Sequence, residues 1–120
     1  MVRRLKEQKV TNRAPGINMH TLLEPAEMFD AGRLYARMSI EPGSTLALHR
    51  HDNEMESFYI VKGTCRFYDN EEDVILNAGD VLVTGEGEIH SIHNDGNETV
   101  ELIALIISHK QGVPGSSTML

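Results

Sequence analysis

Along residues 33–40 the chain alternates, with Leu34, Ala36, Met38 and Ile40 on one face and Arg33, Tyr35, Arg37 and Ser39 on the other. A period of two predicts a half-buried strand. Glu41-Pro42-Gly43 breaks it, and alternation resumes with Leu46 and Leu48 on one face and Ala47, His49 and His51 on the other. Residues 57–62 predict a further strand, rich in aromatic and β-branched side chains and closed by Gly63. Residues 64–68, 74–76 and 81–83 continue the series. A charged run at 69–73 predicts a solvated hairpin tip, and Asn77-Ala78-Gly79 a turn. Asn94-Asp95-Gly96-Asn97 is the strongest short hairpin signal in the chain. Residues 100–107 are apolar on both faces apart from Glu101. An antiparallel strand with one wet face does not read this way, so its outer side needs a cover.

The ends carry less pattern. Residues 12–16 are turn-rich, 17–23 predict a short strand, and 24–29 one helical turn with Pro25 near its start. Arg3, Arg4, Lys6 and Lys9 make the N-terminus basic. The Arg3-Arg4 pair superficially suggests a twin-arginine export signal, but no apolar run follows it. The expected organisation is one domain: a solvated arm over 1–16, a barrel over 17–108 and a flexible tail over 109–120. Many short strands with almost no helix predict an all-β sandwich or barrel.

Composition narrows the partners. The 120 residues suffice for a single core. Lys plus Arg number 11 against 18 Asp plus Glu, a net charge of −7, and no basic patch offers itself to nucleic acid. Cys65 is the one cysteine, so no internal disulfide forms and a reducing cytoplasm is the expected compartment; its expected role is a small buried strand residue. No apolar stretch is long enough to span a membrane as a helix.

The chemistry concentrates in two stretches. In residues 43–63, His49 and His51 stand two apart on one strand face, roughly 6–7 Å from each other, and Glu56 follows after a turn-like DNEM. Two imidazoles and a carboxylate converging on one face suit a divalent transition metal. In residues 79–94 a strand-and-turn segment ends on His90, a natural fourth ligand.

The first stretch reads Gly43, five residues, His49-x-His51, four residues, Glu56, six residues, Gly63; the second reads Gly79, five residues, Gly85-x-Gly87, two residues, His90, three residues, Asn94. This pair resembles the two motifs of the cupin superfamily, here in a small single-domain form. One position departs: Gly85 stands where the family usually has proline. The resemblance implies a double-stranded β-helix, or jelly-roll barrel, with one metal inside it held by His49, His51, Glu56 and His90. Mn, Fe, Ni, Co, Cu and Zn all accept such a ligand set. Glu54 is a less well-spaced substitute for Glu56 or a base; Phe58 and Ile60 share its parity and should line the pocket; Tyr59 and Tyr35 are possible polar contributors. His93, three residues beyond His90, belongs on the opposite face, and His20 outside both motifs reads as a surface or packing residue.

The expected function is binding of a small polar or anionic molecule at an open metal position. The resemblance implies oxygenase, isomerase or epimerase, decarboxylase and lyase chemistry, which favours an enzyme; the alternative is a non-catalytic binding or sensor protein using the same pocket. The doubly apolar 100–107 strand, together with the resemblance, predicts a homodimer.

Overall fold

The computed structural model describes residues 1–48, 53–69, 72–84 and 90–108. They form β1 (Val10–Ala14), β2 (Ile17–Leu23), β3 (Gly32–Ile40), β4 (Thr45–Leu48), β5 (Glu54–Lys62), β6 (Thr64–Asp69), β7 (Glu72–Asn77), β8 (Val81–Thr84), β9 (His90–His93) and β10 (Val100–Ser108), with short 3-10 turns at Leu5–Glu7 and Pro25–Met28. The alternating run at 33–40 is β3, and Pro25 opens the second turn as its fixed φ favours. No helix among the described residues is long and apolar enough to cross a membrane.

The strands make two antiparallel sheets, ordered β1-β2-β3-β10-β5-β8 and β4-β9-β6-β7. From β3 onward, consecutive strands exchange between the sheets in the jelly-roll manner except at the β6–β7 hairpin, and β1 and β2 extend the larger sheet. Among the described residues no ladder joins the sheets, so the expected barrel is a two-sheet sandwich. Its interior takes Ile17, Met38, Ile40, Phe58, Ile60, Leu102 and Ala104 from the larger sheet and Leu46, Cys65, Phe67, Leu76 and Ile92 from the smaller. Burying each large apolar side chain contributes about 1.5–3 kcal/mol. Cys65 behaves as one of them: burial first, and the negative charge of Asp80 second, push its thiol up to about 11, so it stays protonated at neutral pH.

Three expectations need correction. Residues 10–14, assigned to a solvated arm, pair with β2 as an edge strand, and Arg3 ties the segment before them to Leu22 O (2.6 Å) and Glu27 (2.8 Å). Residues 94–97 do not close a hairpin, because β9 pairs with β4 and β6 while β10 pairs with β3 and β5. The loop crosses between sheets instead, and Asn94 is buried in it. Its side-chain amide donates to Ile40 O and Glu98 O, and its side-chain oxygen accepts from Gly96 N–H. An Asn–Asp–Gly run satisfies backbone groups at a sheet-to-sheet crossing as readily as in a tight turn. Finally, Leu46 is buried and Ala47 exposed, so the face of β4 that carries Ala47 is the outer one.

At the end of the first motif Gly63 has φ 91, and a Cβ there would stand 3.1 Å from the Val100 side chain. Both the backbone angle and the space require glycine.

Candidate functional site

Alternation along β5 directs Glu54, Glu56, Phe58 and Ile60 to the inner face and Tyr59 outward. β5 lies between β10 and β8, so Glu56 is flanked by Ile106 on one side and Thr84 on the other. All three are buried. His90 reaches the same place from the facing sheet. It begins β9, opposite Leu48 on β4 and Asp69 on β6, and its ring is 3% exposed at residue level.

The two residues meet across the sandwich, His90 Nε2 lying 3.7 Å from Glu56 Oε1. That is too long for a hydrogen bond. The imidazole is walled by aromatic rings: Phe58 stands edge-on at 6.3 Å between centroids and Phe67 lies tilted at 5.9 Å. Neither ring nitrogen of His90 has a hydrogen-bond partner among the described residues, though both are buried. A buried imidazole left so carries a desolvation cost that a hydrogen bond or a cation would offset.

These observations fit a metal. Two donors each roughly 2.1 Å from one ion stand about 3.0 Å apart at a right angle and about 4.2 Å apart in line, a range that includes the observed separation. Imidazole nitrogen and carboxylate oxygen are ligands for borderline divalent ions. Glu56 and His90 are the described members of the expected ligand set. His49 and His51, with Gly85 and Gly87 of the second motif, lie outside the described residues. No third described His, Cys, Asp or Glu completes a cluster.

The other sequence candidates separate cleanly. Phe58 and Ile60 are buried in the core on the inner face of β5, at 1% and 0% exposure. Tyr59 does not reach the pocket: it is half exposed on the outer face, paired with Val81. Tyr35 is on the outer face of β3, opposite Leu105. Glu54 is inward but engaged, accepting from Arg33 Nε at 2.6 Å and from Ser108 Oγ at 3.0 Å. His93 is on the outer face, with Nδ1 against Thr45 Oγ1 and Nε2 against Ser91 Oγ. His20 sits on β2 opposite Arg37 and Val10, away from Glu56 and His90 in the sheet.

Sequence reasoning passed over Thr84 and Phe67. The alternation of Val81–Thr84, with Leu82 and Thr84 inward, was the available signal for the first. The second needs the pairing of β6 with β9, which no local pattern specifies.

The sequence matches the family model described as the cupin domain over residues 36–106. It is 43% identical to the oxalate-binding protein of Thermotoga maritima over 103 residues, covering 83% of this chain and 85% of the relative. Among solved structures, a predicted oxalate decarboxylase from Thermotoga maritima aligns with TM-score 0.82 and 41% identity over 91% of this chain and 100% of that one. KdgF from Halomonas sp. aligns with TM-score 0.74 at 17% identity over 90% and 93%, a likeness of fold.

Proposed function

Because the chain belongs to the cupin family, we propose that it binds a short dicarboxylate of the oxalate class at a divalent metal held by His49, His51, Glu56 and His90. The observation that carries the metal is the buried His90 imidazole, without a hydrogen-bond partner among the described residues and facing Glu56. The ligand class comes from the relative named as oxalate-binding, 43% identical over most of both chains. When bound, the metal supplies a Lewis acid that accepts carboxylate oxygens. The protein's own residues supply the rest: Phe58, Phe67 and Ile106 exclude water, and Thr84 stands beside Glu56 on the same face.

Isothermal titration with oxalate tests it. Metal-loaded protein should bind saturably, and chelator-treated protein at least about tenfold more weakly. Absence of saturable binding under every divalent metal tried refutes the reading. Conversion is the second reading, favoured by the relative described as a predicted oxalate decarboxylase. It demands a proton for the product formate, and Glu54 is already engaged by Arg33 and Ser108. Formate release during the same titration would establish it.

The reading includes a homodimer in a reducing cytoplasm. On the outer face of the larger sheet, Tyr59, Val61, Val81, Val83 and Ile107 are exposed beside the half-buried Ile103 and Leu105. Such a continuous apolar face suits an interface. Light scattering should give twice the chain mass, and Tyr59→Lys/Val81→Lys should give the single chain. A wild-type monomer at micromolar concentration counts against it.

A further inference from the structure

Glu56, Thr84, His90 and Asn94 are the polar or charged residues buried among those described. Asn94 is committed elsewhere, to Ile40 O, Glu98 O and Gly96 N–H at the crossing between sheets. The other three gather in one place. Thr84 is the cross-strand partner of Glu56, and Glu56 faces His90 at 3.7 Å. Thr84 is as deeply buried as its two neighbours, at 2% exposure against 3% for each of them.

The sheet order isolates this pair. β8 is the edge of the larger sheet, so Glu56 is the one cross-strand neighbour of Thr84 among the described residues. On its other side Glu56 meets Ile106, whose side chain has no polar atom to offer. Opposed side chains on an antiparallel pair have Cβ atoms about 4.5–5.5 Å apart, near enough for a threonine hydroxyl to reach a glutamate carboxylate. Two rotamers are common in a strand, so one turn about Cα–Cβ presents either the hydroxyl or the methyl group. Residue type points the same way. The next inward pair along these strands is Phe58 with Leu82, both apolar. Valine has the shape of threonine and would fill the place of Thr84 with no hydroxyl to desolvate. Burying a hydroxyl without a hydrogen bond is unfavourable, so Thr84 calls for an acceptor, and the carboxylate beside it is one.

We propose that Thr84 is a positioning residue for Glu56: its hydroxyl donates to the carboxylate and holds it toward His90, leaving one carboxylate oxygen to a cation. Groups that orient metal ligands in this way are worth about 10–100-fold in metal affinity. The role rests on the metal-binding reading above and adds a determinant of affinity outside the four ligands.

The test titrates chelator-treated wild type, Thr84→Val and Thr84→Ser calorimetrically with zinc and with manganese. The variants are compared for the metal that wild type binds more tightly. Valine keeps the shape and removes the hydroxyl, whereas serine keeps the hydroxyl and removes a methyl group. Positioning and packing therefore predict opposite orders. For positioning, Thr84→Val binds metal about ten- to hundredfold more weakly than wild type, and Thr84→Ser loses less than about tenfold. For packing alone, the space left by the methyl group makes Thr84→Ser the weaker variant and leaves Thr84→Val near wild type. Urea unfolding of the metal-free proteins checks that each variant keeps its fold. A loss below about tenfold in folded Thr84→Val, or above about tenfold in folded Thr84→Ser, overturns the role while leaving the metal site standing. Wild type that takes up neither metal overturns both.

Discussion

Glu56→Gln is expected to purify with its fold intact and without its metal. The substitution keeps the volume of a side chain 3% exposed at residue level and removes its charge, so the packing around Ile106 and Thr84 is retained. A neutral amide is a much poorer ligand than a carboxylate for a divalent ion, and even the loss of groups that only orient ligands costs about 10–100-fold in affinity. Elemental analysis after dialysis should find about one metal per wild-type chain and little in Glu56→Gln or His90→Ala. A second readout needs no ligand. Metal that binds only the folded state at about a hundred times its dissociation constant adds about 2.7 kcal/mol, so chelator should lower the wild-type melting temperature and leave both variants unmoved. Equal metal content in wild type and variants, with equal chelator response, would remove Glu56 and His90 from the ligand set.

Much of this site was legible because its geometry follows from local rules. Period-two alternation in β5 suffices to direct Glu56, Phe58 and Ile60 inward together, and the spacing of the second motif singles out His90. The same parity separates Tyr59 from Glu56, so its place among the pocket candidates rested on residue type, against the alternation. What alternation cannot supply is the pairing between distant strands. Arg33 looked like an ordinary outward residue because the slip that re-aims it lies between β3 and β10, about seventy positions apart in sequence. Leu46 and Ala47 illustrate a related failure: the period is correct, but which face meets the core depends on the opposing Ile92 and Ser91. β1 escaped because Val10–Ala14 is a mostly polar edge strand, where no buried face imposes a pattern.

Phe58→Ala should be the most destabilising of the single substitutions considered for this chain. The ring is 1% exposed, sits between Ala104 on β10 and Leu82 on β8, and meets the His90 imidazole edge-on. Ala104 opposite offers only a methyl group, so the space the ring vacates cannot be refilled from that strand. Phenylalanine-to-alanine changes in such positions cost about 3–5 kcal/mol through lost transfer energy and the cavity left behind. A domain of this size should lose roughly 10–20 °C in melting temperature as a result. Phe58→Leu retains most of the volume and should cost under about 1.5 kcal/mol. Urea unfolding of chelator-treated protein measures both without interference from metal binding. The site should respond as well, since a cavity beside His90 admits water to the wall that keeps the imidazole and Glu56 dry. Metal affinity should therefore fall in Phe58→Ala at temperatures where the variant is still folded, and recover in Phe58→Leu. A cost below about 1 kcal/mol for Phe58→Ala would mean that the two sheets do not close on this ring.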